Sequence, residues 1–386
     1  MALLTSVTPA PQAADAATDD AADLIVEFRA RSEIVSQTGL EDAHALTVRS
    51  RLGWRSERRR GLQALIEGEA VSVIDDDFSA PLSPDPARPT ISDGDSLELN
   101  RAQLSWRPSP AFEIIAGRQR VVLGDGRFVG NSGWRQNEQT FDALRINTTV
   151  ARGLSVTFLH AKNVRRFPGA DHPQGVWRGA VNALSAQAET PAGRLSGLYL
   201  TSDLEGRPAE SLRTWVIAVE GERRVTGQTE AAWRLDYGRQ SAFGPNHGDF
   251  SVAYARAVVG VRRQDWSVQV GREWLEGDGP HAFQTPLGSN HAFLGWSDVI
   301  GATPSYGLTD DLLRVQRAGG RFRLAAEAHS FQDGSGRNAV GREFDISASA
   351  PLGERLSIEA KAARFESRRL AFADFSKVWL TLEYRY

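Results

Sequence analysis

Apolar and polar residues alternate with a period of two along this chain, in runs too long for an ordinary sheet. Leu24, Val26, Phe28 and Ala30 share one face, with Glu27, Arg29, Arg31 and Glu33 on the other. Leu46, Val48, Leu52 and Trp54 then oppose Thr47, Arg49, Arg51 and Arg55, and Leu62, Ala64 and Ile66 oppose Gln63, Glu67 and Glu69. A period of two belongs to a strand with one apolar face, because successive side chains point to opposite sides of the pleat. The runs extend over roughly ten residues or more, against the ~5–6 of a soluble strand. A tilted strand crossing a bilayer needs ~9–11.

The pattern recurs to the end of the chain. Leu154, Val156 and Phe158 oppose Ser155 and Thr157, while Ala231, Trp233, Leu235 and Tyr237 oppose Glu230, Arg234 and Asp236. In the last twelve residues Val378, Leu380, Leu382, Tyr384 and Tyr386 oppose Lys377, Thr381, Glu383 and Arg385. A terminal strand of this kind, ending on an aromatic residue, resembles the C-terminal strand of outer-membrane barrels that the assembly machinery reads. The connections alternate as well. Short turns fall near residues 58–60, 108–110, 151–152, 190–193, 223–225, 262–263, 319 and 351–353, with long loops at 74–95, 120–139, 163–179, 238–248 and 275–311. Together these predict an all-β fold, a transmembrane antiparallel up-and-down β-barrel of about 18 strands in a bacterial outer membrane.

Composition bounds the chemistry. Cysteine is absent from the 386 residues, which removes disulfides, thiolate nucleophiles and Cys-ligated zinc. A formal net charge of -3 argues against a nucleic-acid partner. No apolar run reaches the ~18 residues of a membrane helix, a test that a barrel need not pass. Residues 1–21 read as the remainder of a secretory signal or a disordered leader, with Ala13, Ala14 and Ala16 as small residues for a cleavage site. The barrel is expected over residues 22–386, as a monomer among outer-membrane lipid and lipopolysaccharide.

Charged faces on so many strands require water. Arg or Lys on the lipid side costs ~2–4 kcal/mol at the bilayer midplane, so these faces are expected to line an aqueous lumen. Arginine is most concentrated in the stretch 117–146, GRQRVVLGDGRFVGNSGWRQNEQTFDALRI, where a strand over 112–119 enters a Gly-rich loop and a second strand leaves it. Arg118, Arg120, Arg127 and Arg135 lie there with a single acid, Asp125, before Asn137. Planar guanidinium groups pair bidentately with carboxylates, which suits a constriction for anions. The same arginines also fit a lumen network that neutralises Glu67, Glu69, Glu98 and Glu138. Arg29, Arg49, Arg51, Arg145, Arg234 and Arg314 would extend the path, and Trp134 offers a face to a sugar or an anchor for the loop. Trp54, Trp106, Trp233, Trp266 and Tyr386 fit the aromatic girdles at the membrane surfaces.

Other motifs carry less. GDGRFVG lacks dinucleotide-fingerprint spacing, and no HExxH pair exists. Asp75, Asp76 and Asp77 lack EF-hand spacing and read as a solvated acidic loop rather than a calcium site. His160 and His329 sit on strands with polar neighbours, and nothing marks a catalytic triad. No cofactor or metal is expected. The competing classes are a barrel enzyme of hydrolase type and a non-conducting structural barrel.

Two long blocks resemble a known family. The 117–146 stretch and SNHAFLGWSDVIGATPSYGLTDDLLRV (289–315) are similar to signature blocks of the alginate export family of outer-membrane porins, with LGWRS (52–56) and LELNRAQLSW (97–106) as lesser support. The resemblance implies an 18-stranded monomeric barrel with an arginine-rich conduit for an anionic polysaccharide or small anionic solute.

Overall fold

The structure is a computed structural model that describes residues 20–369 and 371–386. The leader expected over 1–21 falls almost wholly outside the described residues. The first strands are β1 (Asp23–Gln37), β2 (Ala43–Arg55), β3 (Leu62–Asp75), β4 (Ser96–Ser109), β5 (Phe112–Gln119) and β6 (Thr140–Ala151). Next come β7 (Leu154–Arg165), β8 (Val176–Thr190), β9 (Gly193–Leu204), β10 (Leu212–Thr226), β11 (Thr229–Ala242) and β12 (Ser251–Arg263). The last are β13 (Trp266–Leu275), β14 (Leu308–Gly319), β15 (Phe322–Asp333), β16 (Ala339–Pro351), β17 (Leu356–Ser367) and β18 (Phe375–Arg385).

Each strand pairs antiparallel with its neighbours in sequence, giving one 18-stranded sheet. Pairing of β1 with β18, from Glu27 opposite Arg385 to Gln37 opposite Phe375, closes it into a barrel. Closure removes both sheet edges, which lipid could not hydrogen-bond. The described helix is confined to two 3-10 turns.

The predicted alternation decides the two faces. Leu52, Ile66, Leu104, Ile217, Val259 and Ile346 are exposed on the outside, while their sequence neighbours Arg51, Glu67, Ser105, Val216 and Asp345 are buried inside. An outward apolar belt of this extent marks a surface made for lipid. Trp54, Trp106, Trp266 and Tyr386 are exposed on this belt at the short-turn end. Trp233 joins them there and lies flat over Gly221, where a Cβ would sit 2.3 Å from the indole.

The connections at the other end, L1 to L9 in chain order, differ greatly in length. L2 (76–95), L3 (120–139), L4 (166–175), L5 (205–211) and L7 (276–307) are the ones that shape the interior. In barrels of this kind the long loops are extracellular. L3 and L7 turn into the barrel instead of standing above it. Their Val121, Phe128, Val129, Phe283, Leu287, Leu294 and Ile300 pack on the inner wall at Phe141, Leu159, Tyr254, Leu275 and Phe331. L2 packs Phe78 and Ile91 on Val35, Ala43 and Ala45. The interior is therefore partly filled by its own loops, and the apolar residues on the inward faces near the long-loop end are the surface on which those loops rest.

Candidate functional site

L3 leaves β5 and is fixed at its middle by one buried guanidinium. Arg127 is fully buried; its Nε and Nη2 donate to Glu273 of β13 at 2.7 and 3.1 Å, and Nη1 donates to Thr285 and Asn290 of L7 at 2.9 and 2.7 Å. Tyr254 of β12 also donates to Glu273, at 2.6 Å. Phe128 meets Tyr254 edge-on at 5.2 Å. The two loops are joined by backbone: Gly130 N–H donates to Leu287 O at 2.9 Å, and Ser289 N–H to Gly126 O at 3.0 Å. Gly288 permits this approach, since a Cβ there would lie 2.0 Å from the Arg127 carbonyl oxygen.

The tip of L3 is held from the opposite wall. Arg29 donates to the carbonyls of Gly133 and Arg135, both at 3.2 Å, and Arg31 to that of Trp134 at 2.7 Å. Trp134 stacks on His291 of L7, and Arg135 pairs with Asp298 at 3.6 Å. His291 is a neutral acceptor from Lys361 at 2.9 Å and a donor toward Asp298 at 3.2 Å. Burial and the Lys361 charge push its pKa down to about 3. Burial works against Asp298, but His291 and Arg135 outweigh it and hold that carboxyl at about 2.

Two cavities lie on either side of this joint. The inner one, about 370 Å³, sits among mid-strand residues and is lined by Arg120, Arg234, Arg256, Arg314, Asp125 and Phe293. The outer one, about 470 Å³, is lined mainly by loop residues, with Trp134, Arg135, Arg166, Phe167, Trp177 and His291 among them. L7 contributes to both within four consecutive residues, Ser289 and Ala292 below and Asn290 and His291 above.

Charge in the inner cavity is dense and mixed. Arg234 bonds Asp236 and Glu220, each at 2.8 Å, and Arg314 bonds Glu327 at 2.8 Å. Arg120 pairs with Glu138 through Nε at 2.7 Å. Asp125 of L3 bonds Arg256 and lies 3.5 Å from Arg234. Burial opposes its charge, yet Arg256 and Arg234 prevail and keep Asp125 well below the usual carboxylate range. In the outer cavity Arg166 differs from all of these. It donates to Pro286 O at 2.7 Å and to the Gln139 side chain, and lies 4.1 Å from the Trp177 ring. Among the described residues no carboxylate is recorded in a salt bridge with it. Burial, with Arg135 and Arg207 nearby, pulls its pKa down to about 9.

The predicted site residues divide accordingly. Arg120, Arg234 and Arg314 line the inner cavity; Trp134 and Arg135 line the outer one. Arg118 does not face the lumen. It lies one residue out of phase with buried Gln119, on the outer wall, where it bonds Asp142 at 2.6 Å and the Leu99 carbonyl at 2.9 Å. Arg49 and Arg51 face inward but are closed off from water. Arg51 is bound by Glu69 at 2.5 Å and Glu138 at 3.1 Å, and Arg49 by Glu383 at 3.1 Å and Glu27 at 3.3 Å. The inward L3, which supplies Glu138, covers them. Arg127 is an anchor, and Arg145 lies on β6 away from both cavities. Arg256, Arg166, Phe167, Trp177 and His291 are the lining residues that sequence reasoning missed. Arg256 was legible, since it shares the inward parity of Tyr254. Arg166 follows a bulge between Ala161 and Asn163 that breaks parity.

Among the described residues Glu327, His329 and Asp345 alone group like metal ligands, with ligand atoms within 4.8 Å of one another. They belong to the wall network: His329 bonds Asp310 at 2.8 Å, and Glu327 holds Arg314. His160 bonds Asn182 at 2.8 Å on the outer wall. Asp77 pairs with Arg88 at 2.9 Å.

No family model matches the chain and no curated protein is similar to it, so the resemblance to the alginate export family is not supported. Solved structures are similar in fold. Acinetobacter baumannii OccAB2 matches at a TM-score of 0.75 and 13% identity, covering 94% of this chain and 98% of that one. Pseudomonas aeruginosa OpdK with vanillate matches at 0.72 and 13%, covering 94% and 98%, and P. aeruginosa OccK2 (OpdF) at 0.73 and 14%, covering 94% and 97%. Spanning nearly the whole length of these proteins, the chain shares their fold, a closed 18-stranded antiparallel barrel.

Proposed function

We propose that the chain is a channel for small anionic solutes, carboxylates with a flat or aromatic body in particular. The observation that carries this reading is Arg166, a part-buried guanidinium that donates to the neutral acceptors Gln139 and Pro286 and makes no salt bridge among the described residues, with Arg135, Arg207 and Glu210 around it. Such a group gains most from a carboxylate that arrives from outside, and Trp177, Phe167 and Trp134 give an aromatic body faces to lie against. Arg120, Arg234, Arg256 and Arg314 continue the positive path in the inner cavity. Their partners Glu138, Asp236 and Asp125 keep any one site weak, which suits passage from site to site.

Size favours small solutes over a polysaccharide. Cavities of about 470 and 370 Å³ fall in the range that holds a single small ligand, and the L3–L7 joint lies between them. Vanillate, the molecule in the similar OpdK structure, is a small aromatic carboxylate. An enzymatic reading has no comparable support: the buried histidines serve ion pairs and a ring stack.

Liposome swelling tests the proposal. Liposomes carrying the protein should admit benzoate-sized carboxylates faster than uncharged sugars of similar mass, and exclude polyuronate chains. Arg166→Glu should slow the carboxylates selectively. Equal swelling with neutral sugars and carboxylates would remove the case for anion preference.

A further inference from the structure

The outer wall carries a feature that a lumen function does not use. On the lipid-facing side of β5 to β11, toward the extracellular end, the apolar pattern gives way to polar and cationic residues. Arg178 on β8, Arg213 on β10 and Arg239 on β11 are all exposed there. Register places Arg239 opposite Trp215, two residues along from Arg213, so the two guanidiniums are diagonal neighbours. Lys162 is exposed in the β7 bulge, and Arg118 and Arg165 flank Asp142 at 2.6 and 3.6 Å.

In register with Arg213 runs a line of neutral hydrogen-bonding groups. His160 Nδ1 lies 2.8 Å from Asn182 Oδ1, and Asn182 donates to Thr201 at 3.5 Å, each on the outward face of its strand. Trp215 and Tyr237, both exposed, meet edge-on at 5.8 Å beside Arg239. Exposed cations near a membrane surface cost less than at the midplane, but a run of them against lipid acyl chains still needs anions.

We propose that this wall binds the phosphorylated sugar headgroup of an outer-leaflet glycolipid of the lipid A type. Arg213 and Arg239 take one phosphate through charge-assisted hydrogen bonds, and Arg178, four residues farther along the ladder toward the extracellular end, takes the second. Trp215 and Tyr237 flank the sugar, and the Asn182–Thr201 line, level with Arg213, offers it neutral hydrogen-bonding groups. The acids on this wall do not balance it: Asp142 is shared by Arg118 and Arg165, and exposed Asp203 lies on β9 between Arg178 and Arg213. The occupant is an anionic glycolipid rather than a phospholipid, because only a sugar headgroup uses the aromatic pair and the phosphate subsite together.

Native mass spectrometry of the full-length protein in detergent tests this with three probes: bisphosphorylated lipid A, its dephosphorylated form and phosphatidylglycerol. The bisphosphorylated form should bind at least about tenfold more tightly than either of the others, a difference of ~1.4 kcal/mol. A triple variant, Arg178→Gln with Arg213→Gln and Arg239→Gln, should lose that margin while keeping the heat-modifiable migration of a folded barrel and its conductance. The comparison among lipids on the unaltered protein needs no variant to fold. Equal binding of the dephosphorylated form, or equal binding of phosphatidylglycerol, would overturn the assignment, as would an unchanged margin in the folded triple variant.

Discussion

Trp134 and His291 stack face to face, with ring centroids 3.6 Å apart and planes 12° from parallel. Each ring is held from behind: the Trp134 carbonyl accepts from Arg31, and His291 is bonded to Asp298 and Lys361. The stack therefore bolts the tip of L3 to L7 across the barrel. An aromatic pair contributes ~0.5–1.5 kcal/mol beyond its area. Trp134→Ala should raise the frequency of brief conductance fluctuations roughly two- to tenfold, read in single-channel recordings. Recordings as quiet as those of the unaltered protein would mean that the stack does not restrain the loops.

Arg127 fixes the middle of L3 to the wall. Replacing it with Met leaves Glu273 buried without its cation, a loss of ~3–5 kcal/mol for pairs of this kind. The eighteen-strand wall does not depend on this pair, so Arg127→Met should still migrate as a folded barrel. Its L3 should become cleavable by protease added from outside, near the Gly-rich 124–133 segment. Protection equal to that of the unaltered protein would place the anchor elsewhere.

Acid should loosen the same joint. His291 has its pKa lowered in the fold to about 3, against 6.5 for a free imidazole. The folded state therefore resists a proton that the released loop takes up. Stability from this group is complete above pH 6.5 and falls as pH drops from 6.5 toward 3. Asp298, held at about 2, adds a second loss below its ordinary value of 3.8. Gating should thus increase steadily from pH 7 to pH 4, and His291→Gln should flatten the part above pH 4. A pH profile identical in the two proteins would show that His291 is not the sensor.

The barrel itself was legible because membrane strands must alternate without relief, and β5 was read to its exact bounds, residues 112–119. The interior was less so. Arg127 and Glu273 are 146 residues apart, and nothing local in the GDGRFVG loop points to β13. Arg49 and Arg51 carry the correct inward parity, but parity cannot say whether water or a folded-in loop will meet them. Arg118 shows the opposite limit. Its place beside an arginine-rich loop outweighed a parity that put it with Ile114 and Ala116 on the outside.

That parity has a direct consequence for selectivity. Arg118→Glu removes a cation that faces away from the lumen and pairs with Asp142. It should leave the reversal potential in a salt gradient unchanged, whereas Arg166→Glu and Arg256→Glu should each move it toward cations. Equal effects from all three would mean that the wall is permeable to the field of its outer charges.

The proposed function requires the lumen to be an open, anion-preferring path. The direct measurement is the reversal potential of the purified protein in a planar bilayer under a potassium chloride gradient, repeated with benzoate on one side. The expected result is a conducting pore whose potential favours chloride over potassium, with current that falls as benzoate occupies the arginine-lined cavities. A protein that inserts but does not conduct, or one that favours potassium, would contradict it.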